Sequence, residues 1–259
     1  MNALLRRGAS IAAALILLGA PLGCSRKRAD RVAATRAPAA SVYENPASVS
    51  HPSPLQPAGP QTAGRDSLLN RYRSRLVEWA GLWAAAQPGF ALDSTWLVAR
   101  RRWSPLLTRE FEPPQKESPD DVTFAVLGIH SPSHRYTLNV DGYLLIELAG
   151  DTLEVGGDPE SACSLIDART RREAVLQLTG TMGAFQWGTW LAADVFAIGG
   201  YTDADAYGQW KQARLWVYAI ADSSVSEYES RIVSEPDYER YVRVWHRWLL
   251  ERYRAVTRS

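Results

Sequence analysis

The stretch HRYTLNVDGYLLIEL, residues 134–148, decides the fold class of this chain. Apolar and polar side chains alternate on both sides of the central Asp141–Gly142 pair, as they do in half-buried β-strands. An Asp-Gly pair between alternating segments is a strong hairpin signal, because both turn residues must accept a positive φ. The stretch therefore predicts an antiparallel hairpin over residues 135–148.

The same two-residue period continues towards the C-terminus. It predicts seven more short strands, at residues 152–155, 162–167, 173–178, 184–191, 195–199, 214–220 and 225–230. Clusters of Gly, Asp and Ser separate several of them and indicate tight turns. Short strands in close succession are typical of antiparallel sheets, so we expect a mainly β domain.

A helical period replaces this pattern at both ends of the domain. In residues 66–89 and again in residues 234–256, apolar and aromatic side chains recur every three or four positions. Pro88 and the glycine after it end the first of these helices, and Ser234 with Asp237 matches a capping box at the start of the second. We expect each helix to bury its apolar stripe against the sheets.

Three segments resemble parts of β-propeller blades. HSPSHRYTL (residues 130–138) is similar to the motif that opens strands in periplasmic and WD40-like blades. SLIDARTRREAVLQL (164–178) and LWVYAIADSSVSEY (215–228) look like the outer hairpins of such blades. The resemblance implies one four-stranded blade in residues 134–179 and a second in residues 184–231.

Two blades cannot close a propeller ring, which needs about four to eight. Their edge strands would leave backbone groups unpaired, so we expect the two helices and strands from residues 93–129 to cover or extend those edges. Pairing with another chain is the alternative. The predicted fold class is mainly β, with antiparallel meander or partial propeller-like sheets flanked by an N-terminal and a C-terminal amphipathic α-helix.

The N-terminal residues 1–23 have the layout of a secretory signal. Two arginines precede an uninterrupted apolar run at residues 11–18, which is about half the length that a bilayer-spanning helix needs. The sequence Pro21-Leu22-Gly23-Cys24 resembles the lipobox of bacterial lipoprotein precursors. That resemblance implies cleavage before Cys24, a diacylglycerol on its sulfur and an acyl chain such as palmitate on the new amino terminus. The alternative is an ordinary secreted protein that is cut near Ala20.

Residues 24–65 differ in composition from the rest and predict a disordered tether. They are rich in Ala, Pro and Ser and hold few large apolar residues, so they cannot bury enough surface to fold. The remaining residues, 66–259, are predicted to form a single globular domain. That domain contains 21 basic and 26 acidic residues, and its net negative charge argues against a nucleic-acid partner.

The side chains that usually carry catalysis are sparse in residues 66–259. His130 and His134 flank a short turn and could approach each other near Asp141, but two imidazoles and one carboxylate are a weak zinc signal. Cys163 lies in an alternating stretch and is expected to be a small buried residue. Acidic residues are abundant, and a pair of them could hydrolyse glycosides, but most fall in predicted turns. We therefore predict no catalytic residue, no metal site and no cofactor.

Four tryptophans are candidate ligand-binding aromatics. They are Trp187, Trp190, Trp210 and Trp216, any of which could stack on a sugar ring or a peptide if it is exposed. Trp187 and Trp190 should point to opposite faces of their strand unless Gly188 forms a bulge, so at least one of the two is expected in the core.

These features predict a lipid-anchored cell-envelope protein, held on the outer membrane or another periplasm-facing surface through Cys24. We expect a non-enzymatic interaction or scaffold module with an envelope protein as its partner. The alternative is an envelope glycan-binding protein or a glycan hydrolase whose carboxylates cannot be paired from sequence. Neither the partner nor a small-molecule ligand can be named from the residues.

Overall fold

A computed structural model describes residues 66–116, 118–149, 152–157, 160–205, 208 and 210–258. These residues form a mainly β domain. The predicted signal, Cys24 and the tether lie outside the described residues. No helix within the described part of the chain is both long enough and apolar enough to cross a membrane.

Four α-helices and twelve strands make up the described part of the domain. The helices are α1 (Ser67–Arg71), α2 (Arg73–Ala86), α3 (Pro119–Leu127) and α4 (Glu235–Thr257). The strands are β1 (Trp96–Arg102), β2 (Leu107–Glu110), β3 (Gly128–His130), β4 (Tyr136–Asn139), β5 (Leu144–Ala149), β6 (Thr152–Gly157), β7 (Ser161–Asp167), β8 (Arg172–Thr179), β9 (Gly183–Trp190), β10 (Val195–Asp203), β11 (Lys211–Ala219) and β12 (Ser224–Val233).

The strands form two five-stranded antiparallel sheets and a separate hairpin. The first sheet has the order β1-β12-β11-β10-β9, and the second has the order β2-β8-β7-β4-β3. Among the residues that the structure describes, strands β5 and β6 pair only with each other. The seven strands predicted after residue 150 are all present within a few residues of their expected bounds.

The two sheets pack against each other through an apolar core. Side chains from one face of each sheet meet there, among them Leu138 and Leu165 from the second sheet and Phe196 and Trp216 from the first. Because successive strand residues point to opposite faces, the neighbours of these residues form the other face of each sheet.

The terminal helices cover that other face of the first sheet. Trp79 and Trp83 of α2 and Tyr241 of α4 are fully buried and pack with apolar residues of β9 to β12. Trp83 and Tyr241 stack with ring centroids 3.8 Å apart. The expected burial of both helical stripes is therefore confirmed, although the helices lie on a sheet face and not along its edges.

The predicted hairpin over residues 135–148 is wrong. Strand β4 pairs with β3 and β7, whereas β5 pairs with β6 in a different sheet. Neither Asp141 nor Gly142 has the positive φ that a tight hairpin turn requires. The buried carboxylate of Asp141 instead directs the chain out of the second sheet, as described below.

Only one of the two segments predicted to form a blade has four consecutive strands in one sheet. Residues 184–231 do form four consecutive antiparallel strands, β9 to β12, and β1 extends them at the edge. In residues 134–179, β5 and β6 leave the sheet, so only β4, β7 and β8 remain together. Strands from residues 93–129 extend both sheets as expected. Helix α3, which begins at the Ser118 cap with Pro119 in its first turn, was not predicted.

Candidate functional site

A cleft of about 150 Å³ opens on the outer face of the second sheet. Its floor includes Asn139 of β4 and Ser164 of β7, which are register partners. Both residues alternate with side chains of the sandwich core, so they point away from it. Phe111 and Pro114, from the segment between β2 and α3, form one wall, and Tyr143 from the turn before β5 forms part of another.

A buried carboxylate occupies the base of the cleft. Glu173 of β8 is only 7% exposed. One of its oxygens accepts a hydrogen bond from Arg109 Nε at 2.6 Å, and the other accepts one from Ser164 Oγ at 2.7 Å. Arg109 is the register partner of Glu173 on β2, which fixes this geometry. The hydrogen bond to Glu173 raises the pKa of the Arg109 guanidinium.

Groups at the mouth of the cleft are open to solvent. The Arg109 side chain is about half exposed, and the Tyr143 ring belongs to a residue that is 39% exposed. The side-chain nitrogen of Asn139 lies 3.4 Å from the position that a Cβ on Gly142 would occupy, so the amide is close to the backbone at Gly142. The cleft thus presents the guanidinium of Arg109, the carboxamide of Asn139 and the ring of Tyr143 around a carboxylate that is paired with that guanidinium.

A smaller cleft of about 100 Å³ adjoins the first and shares Pro114, Asn139 and Gly142 with it. Asp141 lies in its wall and is 4% exposed. Helix α3 contributes Asp120, Thr123 and Phe124 to the lining of this cleft.

Asp141 is held by several donors. Its Oδ1 accepts from the backbone N–H of Tyr143 at 3.1 Å, and its Oδ2 accepts from Ser161 Oγ at 2.7 Å. Burial raises the pKa of Asp141 to about 6, and these hydrogen bonds offset part of that effect. Ser161 Oγ also accepts from the N–H of Phe185, so the same network links β7 to β9. Asp141 therefore serves the architecture of the turn.

Three of the four candidate tryptophans lie in the core. Trp187, Trp190 and Trp216 are 0%, 6% and 1% exposed. Trp187 donates its indole N–H to Glu78, and Trp190 donates to the carbonyl of Ile129. Trp210 remains as a surface aromatic at 46% exposure. The structure therefore does not bring the four rings together.

Trp187 and Trp190 do point to opposite faces, as expected. Trp187 contacts the core under the helices, and Trp190 contacts the core between the sheets. The bulge lies at Gln186 and not at Gly188, because Phe185 and Trp187 pair with consecutive residues of β10.

His130 and His134 do not form part of a cluster of metal-binding side chains among the described residues. The rings of His130 and His134 lie 6.1 Å apart, and His130 Nδ1 is 2.9 Å from Thr137 Oγ1. No group of three His, Cys, Asp or Glu side chains with metal-binding geometry occurs among the residues that the structure describes. Cys163 is completely buried, and burial raises the pKa of its thiol, so it is unreactive.

Sequence reasoning missed the residues that build the cleft. Strand β2, which carries Arg109, is four residues long and fully exposed, so it has no apolar alternation to detect. Arg109 and Glu173 are 64 residues apart in the chain, and only the β2–β8 register brings them together. The adjacent Ser164 gives no signal of its own.

Comparisons with known proteins give no relative to reason from, because no family model, curated protein or solved structure matches this chain.

Proposed function

We propose that this chain is a lipid-anchored cell-envelope protein whose β-rich domain is a non-enzymatic interaction module. In this proposal the signal-like residues 1–23 are removed and Cys24 carries the lipid. The tether then joins the domain to the bilayer, and the cleft on the second sheet receives a protruding group of an envelope partner.

The hydrogen bonding of Glu173 is the observation that carries the non-enzymatic part of the proposal. A carboxylate that acts as a nucleophile or a base needs a lone pair directed at the substrate. Each oxygen of Glu173 accepts one hydrogen bond, from Arg109 or Ser164, and only 7% of the residue is exposed, so little of the carboxylate is open to a bound molecule. The arrangement suits a rigid polar floor for binding better than it suits hydrolysis.

The size of the cleft limits what can enter it. Sites for drug-sized ligands are typically about 300–1,000 Å³, and this cleft is about 150 Å³. It therefore suits one amino-acid side chain or one sugar ring. Arg109 and Asn139 would supply hydrogen bonds, and Tyr143 would cover one face of the bound group.

Glycan binding is the second candidate function. The half-exposed ring of Tyr143 next to the carboxamide of Asn139 favours it, because sugar rings place C–H groups on an aromatic face and hydroxyls against planar polar groups. The same cleft would serve both functions, and they differ in the molecule that enters it.

A photocrosslinking residue in place of Tyr143 tests the proposal in the native envelope. Trp210 provides a matched control, since it is an aromatic residue of similar exposure that does not line the cleft. We expect the position-143 variant to form a discrete protein adduct that the position-210 variant does not form. A glycan adduct specific to position 143 would favour the second function. Identical products at both positions, or none at either, would contradict a binding role for the cleft.

A further inference from the structure

The segment RRRWSPLL, residues 100–107, joins the last residues of β1 to the first residue of β2 and is largely exposed. It is called the arginine–leucine segment below. Its three consecutive arginines are all exposed, and they are followed closely by two exposed leucines, Leu106 at 62% and Leu107 at 53%. Exposed basic and large apolar side chains therefore occur within one segment of eight residues.

The backbone of this segment is fixed to the domain. The Trp103 N–H donates to the carbonyl of Ser223 at 2.7 Å, and its indole N–H donates to the carbonyl of Ala219 at 3.2 Å. The Leu106 N–H donates to the carbonyl of Val175 at 2.8 Å. The segment thus bridges the two sheets, and its exposed side chains are presented from a rigid backbone.

Neighbouring acids offset only part of the positive charge. Arg100 Nη2 lies 3.8 Å from Asp66 Oδ2, and Asp222 in the β11–β12 turn interacts electrostatically with Arg102. Glu227, on the adjacent strand β12, is paired with Arg214 instead. No salt bridge within the described residues joins Arg101 or Arg102 to a carboxylate, so the segment keeps a net positive charge.

We propose that the arginine–leucine segment lies on the surface of an anionic lipid bilayer. The guanidinium groups would bind headgroup phosphates. The leucines would enter the boundary between headgroups and acyl chains, where buried apolar area adds to the electrostatic attraction. Exposed leucines beside arginines are unfavourable in water and favourable in that environment.

The position of the tether favours a membrane over another protein as the surface that the arginine–leucine segment contacts. This inference rests on the proposed lipid anchor at Cys24. Asp66, where the chain that leads back to Cys24 joins the described domain, is the carboxylate beside Arg100. A tether held to lipid at Cys24 would therefore deliver this side of the domain to the bilayer first.

An environment-sensitive fluorophore at position 106 tests the contact. The full chain carries Leu106→Cys on a Cys24→Ser background, which leaves Cys163 as the other thiol, and that thiol is buried. The matched control is Ile232→Cys. Ile232 is also exposed, at 54%, but it lies on β12 eight residues from Ser224, which is the register partner of Arg102. Vesicles of phosphatidylcholine, with or without phosphatidylglycerol, provide the two surfaces.

We expect a blue shift of the label at 106 on the anionic vesicles, reversed by high salt, and no such shift at 232. Replacing Arg101 and Arg102 by Ser should abolish the shift, whereas replacing Arg169 and Arg171 in the exposed β7–β8 turn should not. Equal emission at 106 on both vesicle types, or equal shifts at 106 and 232, would overturn the proposal. Because the Cys24→Ser chain carries no lipid on that residue, the result does not depend on whether the natural chain is lipidated.

Discussion

At Asp141 a single buried carboxylate organises the point where the chain leaves the second sheet. It accepts the Tyr143 N–H and the Ser161 hydroxyl, and Ser161 in turn accepts the N–H of Phe185 from the first sheet. An exposed Asp in a tight hairpin turn would have left β4 and β5 paired. Burial of this residue therefore explains why the strongest hairpin signal in the sequence does not produce a hairpin.

The raised pKa of Asp141 makes a prediction about stability and pH. The folded-state pKa of about 6 lies above the ordinary value of 3.8, so this group favours the folded state below about pH 4. That contribution is lost as the pH rises through 6. The Asn side chain of Asp141→Asn does not titrate. Between pH 4 and pH 7, the free energy of unfolding of the wild type should therefore fall by about 2–3 kcal/mol more than that of Asp141→Asn.

Urea unfolding of both proteins at several pH values measures this difference. Asp120→Asn is the control, because Asp120 lines the same smaller cleft but is exposed. Parallel pH profiles for the wild type and Asp141→Asn would show that the carboxyl is not the source of the effect.

At the scale of elements, helix α2 packs closely on β10 at Gly199. A Cβ at this glycine would lie 2.3–2.4 Å from the indole ring of Trp79, which is fully buried. Both partners are fixed, the glycine by its sheet pairing and the tryptophan by the surrounding core. The absence of a side chain at 199 is therefore what permits the helix layer to reach the first sheet.

Gly199→Ala should consequently lower the free energy of unfolding by about 1–3 kcal/mol, the usual cost of overpacking a core. Gly81→Ala provides the contrast, since nothing lies within 4 Å of its added Cβ and alanine is favoured over glycine inside a helix. Thermal or denaturant unfolding compares the two variants. If Gly199→Ala is as stable as the wild type, the helix does not approach the sheet as closely as described.

Elements with a strong local period could be predicted, but not all of their partners could. The strands β6 to β12 follow from alternation along each segment, and α4 follows from its aromatic stripe. Pairing depends on contacts between distant residues, which is why β5 was assigned to β4 and not to β6. Strand β2 and helix α3 are four and nine residues long, too short for a period to be recognised.

At the scale of the whole molecule, the cleft is a product of sheet assembly. Arg109, Ser164 and Glu173 come from three strands that the second sheet places side by side. No spacing in the sequence relates them, so the candidate site could not have been predicted. The four tryptophans that sequence reasoning chose instead divide between two cores and the surface, because a large aromatic residue on a strand is usually a core residue.

The anchor, by contrast, is predicted from sequence alone. If Cys24 is lipidated, the cleft and the arginine–leucine segment belong to a protein held at a membrane. If it is not, the cleft remains a candidate binding site, but the chain has lost the feature that assigns it to a lipid surface. Lipidation of Cys24 is therefore the central claim.

The mass of the intact mature protein, isolated from both the membranes and the soluble fractions of the cell that makes it, tests that claim most directly. We predict a chain that begins at Cys24 and carries the added mass of a diacylglycerol and one further acyl group. A chain that begins near Pro21 with no added lipid mass would contradict the account and indicate an ordinary secreted protein.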